Sequence, residues 1–419
     1  MLISREQQEK PNSILHNPTG KTRIGLALLL GLLAFLGPLN IDMYLPSFPG
    51  ISADFGVSAT LVQFSLTACL IGLAVGQLVV GPISDAQGRK KPLLISTFLF
   101  ALSSLLCAFA PNITTLIIAR FLQGLTASAG VVLSRAVVRD VFTGKQLTKF
   151  FALLMVINAI APMIAPMIGG GILAIPSTNW QSIFYFLAMI GIFIVLIVAI
   201  KLKETLPLEK RIPSSIGSSV KTMGSLLKDR SFIGYALVVG FVHGGSFAYV
   251  SGTPFVYQEI YGVSPQVFSV LFGINGLAII TGSFIIGRFS DIISEKKLLQ
   301  TAVTIALTAT SLLLLMTIIK GPLASLVILI FIYMITMGMT ITSTFTLGMA
   351  KQGHRAGSAS AVLGMLPMLL GALFSPLAGI NEASAVPMGT ILFTTSLIGF
   401  IAFYTLVKKD QNEKKQEKG

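Results

Sequence analysis

Asp42 and Arg120 are ionisable residues set within long apolar runs, Asp42 near the end of residues 24–45 and Arg120 inside residues 112–136. A charge in hydrocarbon costs about 2.5–3.5 kcal/mol on insertion scales, so such a side chain normally faces a cavity or a partner. The two residue types divide the chemistry between them. A carboxyl can take up and release a proton as its surroundings dry or a counter-charge moves. A guanidinium keeps its proton and serves as a fixed countercharge or a hydrogen-bond fork. Placed in the same half of the membrane and sharing one cavity, they describe proton coupling, with Asp42 as carrier and Arg120 as companion. Nothing points to catalysis: the 3 histidines are scattered and build no cluster with Asp, Ser or Cys. No catalytic residue, cofactor or metal site is expected, and Cys69 and Cys107 fall inside apolar runs as packing residues.

The elements that must position these residues follow from composition. Hydrophobic residues make up 53% of the 419 and charged residues 11%, against roughly 25% charged in a soluble domain. Runs long enough to cross about 30 Å of hydrocarbon as helix recur along the chain. Twelve are expected: 24–45, 58–82, 92–110, 112–136, 150–173, 181–202, 231–258, 266–288, 297–317, 323–349, 356–380 and 386–407. Barrel strands would alternate apolar and polar residues, and no such alternation is present. The fold class is therefore all-α integral membrane. The expected organisation is a tail at 1–23, a six-helix bundle at 24–202, a linker at 203–230, a second bundle at 231–407 and a tail at 408–419.

The net charge of +14 raises the question of a nucleic-acid partner, and its placement excludes one. Alternating the loops between two sides puts 28 of the 30 Lys and Arg on one side, with Lys320 opposite and Arg120 in a span. By the positive-inside rule both termini and the long linker are cytoplasmic. The bilayer is the partner these charges imply.

A repeat supplies the architecture. Phe55-Gly-Val-Ser58 returns 206 positions later as Tyr261-Gly-Val-Ser264, and Gly81, Ser84, Asp85, Lys90 and Lys91 return as Gly287, Ser290, Asp291, Lys296 and Lys297. Two homologous halves are the pattern of secondary transporters. Structural residues should recur in both halves, whereas Asp42 maps to Ala248 and Arg120 to Leu326. Uncopied charges are the stronger candidates for coupling.

The copied loop, Gly81-Pro-Ile-Ser-Asp85-Ala-Gln-Gly88-Arg89-Lys90-Lys91, resembles the signature loop of the major facilitator superfamily. Gly81 allows a helix to approach its neighbour, Asp85 accepts from helix amides or a basic side chain, and Gly88 allows a tight turn. The loop is expected to act as a latch, Asp85 being paired while the cytoplasmic side is closed. In the second copy Ser294 stands where Gly88 would map, which leaves Gly287 and Asp291 a weaker version.

Three further motifs narrow the resemblance. Asn40-Ile-Asp42-Met-Tyr44-Leu-Pro46 resembles the first-helix motif of the Bcr/CflA drug-resistance exporters. Arg120-Phe-Leu-Gln123-Gly124 resembles the Arg-x-x-Gln-Gly motif of proton-linked facilitators. Pro162-Met-Ile-Ala-Pro166-Met-Ile-Gly169-Gly170 resembles the helix-5 motif of antiporters, with Ala161 and Ala165 where glycine usually precedes each proline. The resemblance implies a monomeric, multi-pass exporter in the bacterial inner membrane that exchanges a small amphiphilic substrate for protons. Export of a natural metabolite, such as an amino acid or sugar, by the same cycle is the alternative. Some multidrug relatives carry a second carboxylate where this chain has Ala34. Its absence favours neutral, zwitterionic or amphiphilic substrates. Tyr44, Gln123, Asn158, Phe241, His243 and Asn275 are the remaining candidates to line the cavity.

Overall fold

A computed structural model describes residues 18, 20–211, 217, 223–226, 228–350, 352 and 356–408. Most of both expected tails, and residues 212–216, 218–222 and 227 of the linker, lie outside them. The first six long helices are α1 (Gly20–Asp42), α2 (Ala59–Gln87), α3 (Lys90–Ala108), α4 (Ile113–Val141), α5 (Gly144–Leu173) and α6 (Trp180–Lys201). The second six are α7 (Arg230–Phe255), α8 (Pro265–Phe289), α9 (Glu295–Ile318), α10 (Leu323–Met349), α11 (Ala356–Phe374) and α12 (Val386–Ala402). Eleven apolar spans meet the length and hydropathy needed to cross a membrane among the described residues. The other helix, α5, is 30 residues long with its apolar part at Ile160–Leu173.

α2 and α4 continue to Gln87 and Val141, past the ends at 82 and 136 expected from hydropathy. Hydropathy reports where hydrocarbon ends; a helix satisfies its own backbone beyond that point and continues until something stops it. At α2 the stop is Gly88, whose φ of +91° belongs to glycine.

The copied Gly-Val-Ser has the same structural job in each half. Gly56 and Gly262 take φ of +61° and +68°, turning the chain through a left-handed residue. Ser58 Oγ then accepts the Leu61 amide at 3.4 Å to start α2, and Ser264 Oγ accepts the Val267 amide at 3.3 Å to start α8. Glycine also sets the packing. A side chain at Gly76 or Gly124 would run into α4 or α2 respectively, and one at Gly282 or Gly338 into α10 or α8. Small residues that let backbones touch take the place of a hydrophobic driving force in lipid.

The halves are built alike: α2 packs on α4 and α3 on α6, as α8 packs on α10 and α9 on α12. They meet through α2 against α11 and α5 against α8. Hydrogen bonds between the halves gather at the end that carries Asp42. Gln258 Nε2 donates to the Pro46 carbonyl at 3.2 Å, Gln63 Nε2 to Ser251 at 3.1 Å, Thr67 Oγ1 to Ala372 at 3.2 Å and the Ala59 amide to Glu382 at 2.5 Å. Deepest of these is Gln77 Nε2 to Met368 Sδ at 3.2 Å. Beyond it, toward the Asp85 end, the described residues give no hydrogen bond between halves.

The linker is held at both of its ends. Glu204 to Leu206 fold under the first half, and Leu226 is fully buried with Phe232, Ala236 and Leu363 of the second.

Candidate functional site

Arg120 lies two turns into α4 and is completely buried. Its Nη1 donates to Asn40 Oδ1 at 2.6 Å and to Gln123 Oε1, and its Nη2 donates to the Asn40 carbonyl at 2.8 Å. The guanidinium lies over the Tyr44 ring, 4.1 Å from its centroid, and 5.7 Å from that of Phe184. Around it, Gln123 Nε2 donates to Ser104 Oγ at 2.7 Å, and Asn40 Nδ2 donates to Cys69 Sγ at 3.1 Å. The result is a closed polar knot joining α1, α2, α3, α4 and α6. Tyr44 and Gln123, expected to line a substrate cavity, are fully buried in this knot and serve Arg120 instead.

Asp42 is not part of it. The carboxyl is 6% exposed, forms no hydrogen bond or ion pair among the described residues, and does not reach Arg120. On a helix, residues 40 and 42 point to nearly opposite sides, so Asn40 turns to α4 and Asp42 turns away. The expected Asp42–Arg120 partnership is absent in this conformation. In the second half, Tyr249 of α7 accepts at its hydroxyl from Asn275 Nδ2 of α8 at 2.6 Å.

The proline-glycine motif of α5 seats against the backbone just past Asp42. A side chain at Gly169 would strike the carbonyl of Met43, the residue after Asp42, and one at Gly170 would strike Ser269 of α8. Pro162 and Pro166 sit inside α5. Between them and just beyond, Met163 and Met167 pack on Gly273 and Gly276 of α8.

Below Asp42 runs an apolar groove of about 480 Å³ between α1 and α5. Its walls include Leu28 and Phe35 of α1 and Leu153, Ile157, Ile160 and Ile164 of α5. Leu28, Phe35 and Asp42 follow at seven-residue spacing, which puts them on one face of α1. The carboxyl stands at the head of the apolar stripe.

The other candidates are dispersed. His243 is half-buried and stacks on Phe247, with 5.6 Å between ring centroids. Phe241 packs 6.2 Å from Phe374. Asn275 is buried and committed to Tyr249 and the Leu271 carbonyl. The Asn158 side chain lies outside the described residues.

The copied loop forms a clasp at the opposite end. Arg89 is buried and donates to Asp85 at 2.6 Å, to Asp140 at 2.8 Å and to Ser84 Oγ at 2.7 Å. Asp85 thus takes the basic side chain, while the α3 amides go elsewhere. Glu204, just past α6, accepts the amides of Arg89 at 2.7 Å and Lys90 at 3.2 Å as well as those of Thr205 and Leu206. Burial opposes its charge, but the amides of Leu206, Arg89, Lys90 and Thr205 hold its carboxyl below the usual glutamate range. Glu204 and Asp140 are absent from the sequence expectations. The one available signal was the presence of acids in two strongly basic loops. Lys90 Nζ donates to the Ala199 carbonyl at 2.9 Å. Gly88 is tight: a side chain there would meet Glu204 and Arg211. Gly81 and Gly287 have no neighbour within 4 Å of a would-be Cβ, so neither makes the close approach expected of it. In the second copy Asp291 is exposed and forms no ion pair among the described residues.

By sequence, Arg135 falls one residue inside the end of the 112–136 span and is counted with the basic charges of that side. The structure puts it inside α4, six residues before Val141 and half-buried, with no hydrogen bond or ion pair among the described residues.

Residues 30–376 match the family model described as Major Facilitator Superfamily. The chain is 73% identical over 396 residues to the "Uncharacterized MFS-type transporter YdgK" of Bacillus subtilis strain 168, covering 94% of this chain and 98% of that one. It is 30% identical over 384 residues to the "Bicyclomycin resistance protein homolog" of Haemophilus influenzae, covering 91% and 96%. Among solved structures, a bacterial homologue of the human lysosomal transporter Spinster, in an inward-facing and occupied conformation, aligns with a TM-score of 0.75. That alignment has 15% identity and covers 94% of this chain and 98% of that one.

Proposed function

The chain belongs to the major facilitator superfamily and is a multi-pass membrane transporter rather than an enzyme, and from that premise we propose that it exports small amphiphiles in exchange for protons. The relative named for bicyclomycin resistance supports drugs among its substrates. The observation that carries the reading is the buried Asp42, unpartnered among the described residues, two turns beyond the apolar α1/α5 groove on the same face of α1.

The proposed orientation follows the basic charges: the Asp85 end, the linker and both termini are cytoplasmic, in a bacterial inner membrane. The cross-half hydrogen bonds then close the outer side, and the groove receives substrate from the inside. An amphiphile lays its apolar part along Leu28 and Phe35 with its polar end toward Asp42. Rocking of the halves breaks the outer bonds, exposes Asp42 to external water and exchanges substrate for a proton. Arg120 holds α1 to α4 throughout, so α1 moves with the first half as a rigid part. The proton gradient takes the place of any cofactor, and one chain contains the whole cavity, so the transporter works as a monomer.

The test uses inverted membrane vesicles bearing wild type or Asp42→Asn. Compounds are first chosen by the drug tolerance they lose when the wild-type protein is absent. Adding such a compound should release protons through the wild type and not through Asp42→Asn, with equal amounts of both inserted. Full gradient-driven transport by Asp42→Asn overturns the reading.

A further inference from the structure

We propose that Arg135 is the docking point for an acidic group on the substrate, so that carboxylate-bearing amphiphiles are a preferred class; this rests on the efflux reading above. Gly124, Ser128, Val131 and Arg135 follow in steps of four, three and four residues, which is one face of α4. The first three show where that face points. Gly124 backs on the Cys69 backbone of α2, Ser128 on Gly76 of α2 and Val131 on Gly37 of α1. One turn farther, the same face carries Arg135 into the crevice between α1 and α2. The outward side of α4 is marked by exposed Ile118 and Leu122, on another face.

Among the described residues this cation has no acidic partner. α1 carries no acid before Asp42 at its far end, and α2 carries none before Asp85. Asp85 and Asp140 are both committed to Arg89. In the second half Asp229 binds its own helix amides and Gln352 Nε2 at 3.0 Å, and Asp291 is exposed in its loop. Arg135 stands six residues, about 9 Å of helix rise, before the end of α4 and one residue inside the apolar run that ends at 136. A half-buried permanent charge without a counter-ion requires water or an anion to face it. The repeat maps position 135 to Ile341, so the charge is not part of the shared framework. A guanidinium fork fits a planar carboxylate through two parallel hydrogen bonds. The substrate chemistry this predicts is an apolar body with one acidic group, met by Arg135 on the way in from the Asp85 end.

The experiment measures binding of dansyl-aminoundecanoate and of its methyl ester to the full-length protein in nanodiscs, with empty nanodiscs subtracted. The wild type should bind the carboxylate about tenfold or more tighter than the ester, the range of a hydrogen bond to a charged group. Salt should shrink that advantage. Arg135→Gln should remove it without changing ester affinity, and Arg135→Lys should keep part of it. Equal affinity of the wild type for the two probes, or no binding of either, overturns the proposal, and this measurement needs no variant to fold. Equal weakening of both probes by Arg135→Gln also overturns it, in favour of a gating or packing role. The efflux reading is judged separately by proton release on addition of the tolerance-selected compounds, so either proposal can fall alone.

Discussion

Arg120 grips Asn40 twice, through the side-chain oxygen at 2.6 Å and through the backbone carbonyl at 2.8 Å, and leaves Asp42 two residues away untouched. This divides α1 into a side that holds the bundle and a side free to do chemistry. Arg120→Lys should therefore be a stability defect. One ammonium cannot reproduce the fork, and a lost hydrogen bond to a charged group costs about 1.5–3 kcal/mol. Asn40→Asp keeps an acceptor for the guanidinium and should survive better than Asn40→Ala. Thermal midpoints of the purified variants, followed by monodispersity, would show that order; a lysine variant as stable as wild type contradicts it.

Asp42→Asn should behave in the opposite way. Asp42 makes no hydrogen bond or ion pair among the described residues, so an isosteric amide removes no contact. Its midpoint should equal or exceed that of the wild type, and the double variant Asp42→Asn/Arg120→Lys should show the sum of the single effects, as sites without shared partners do. A coupling of about 1 kcal/mol or more between the two positions would mean that they pair in the stable state.

Which parts were legible in the sequence follows from the range of the signals. The spans and the duplicated halves announce themselves, because apolar runs of the required length and a fixed 206-residue offset are properties of the chain itself. The copied Gly-Val-Ser was legible as a repeat, and its task became plain only with Gly56 in a left-handed turn and Ser58 capping α2. Charges within spans were visible too, but not their partners. Whether Arg120 meets Asn40 or Asp42 depends on the rotation of α1 about its axis, which membrane hydropathy leaves open because α1 is apolar all round. Glu204 reaches amides 115 positions away, a distance at which no local pattern operates. Arg135 was hidden by its neighbours, since a base near the end of a span reads as one more flanking charge.

Glu204 gives the clasp a pH dependence. Its carboxyl is held below the usual glutamate range in the folded protein, so the unfolded chain binds the proton first and the contact stabilises fully above the ordinary glutamate value, about 4.3. That contribution is lost as pH falls through the depressed folded-state value. Acidification below about pH 4 should loosen the Asp85 end before it affects the Asp42 end. Limited proteolysis of the 203–211 segment across pH 3–6 should rise at the acid end for wild type and be flat for Glu204→Gln. A wild-type profile without that acid rise refutes the role of the amide contacts.

Gly169→Val should stop transport while leaving the protein in the membrane. The added side chain would meet the Met43 carbonyl, a backbone atom that cannot rotate aside, so α5 must pull away from α1 beside Asp42. Gly171, two residues on, has open space at its would-be Cβ and is the matched control. Gly171→Val should retain transport at similar expression. Equal loss from both variants would point to a general intolerance of this end of α5, with no special place for the Met43 contact.

The outer closure can be trapped. Thr67 Oγ1 lies 3.2 Å from the Ala372 carbonyl, joining α2 to α11 across the halves. Cysteines at these two positions in a Cys69→Ala/Cys107→Ala background should cross-link under mild oxidation, because the backbones are close in this conformation and a disulfide needs Cα atoms about 4.4–6.8 Å apart. If transport requires the Asp42 end to open, the oxidised protein should still bind dansyl-aminoundecanoate from the Asp85 end but no longer release protons when substrate is added, and reduction should restore release. Proton release at full rate with the cross-link intact would mean that Asp42 reaches external water by a route other than parting α2 from α11. In that case the bonds among Gln63, Ser251, Thr67 and Ala372 would be a permanent seam between the halves.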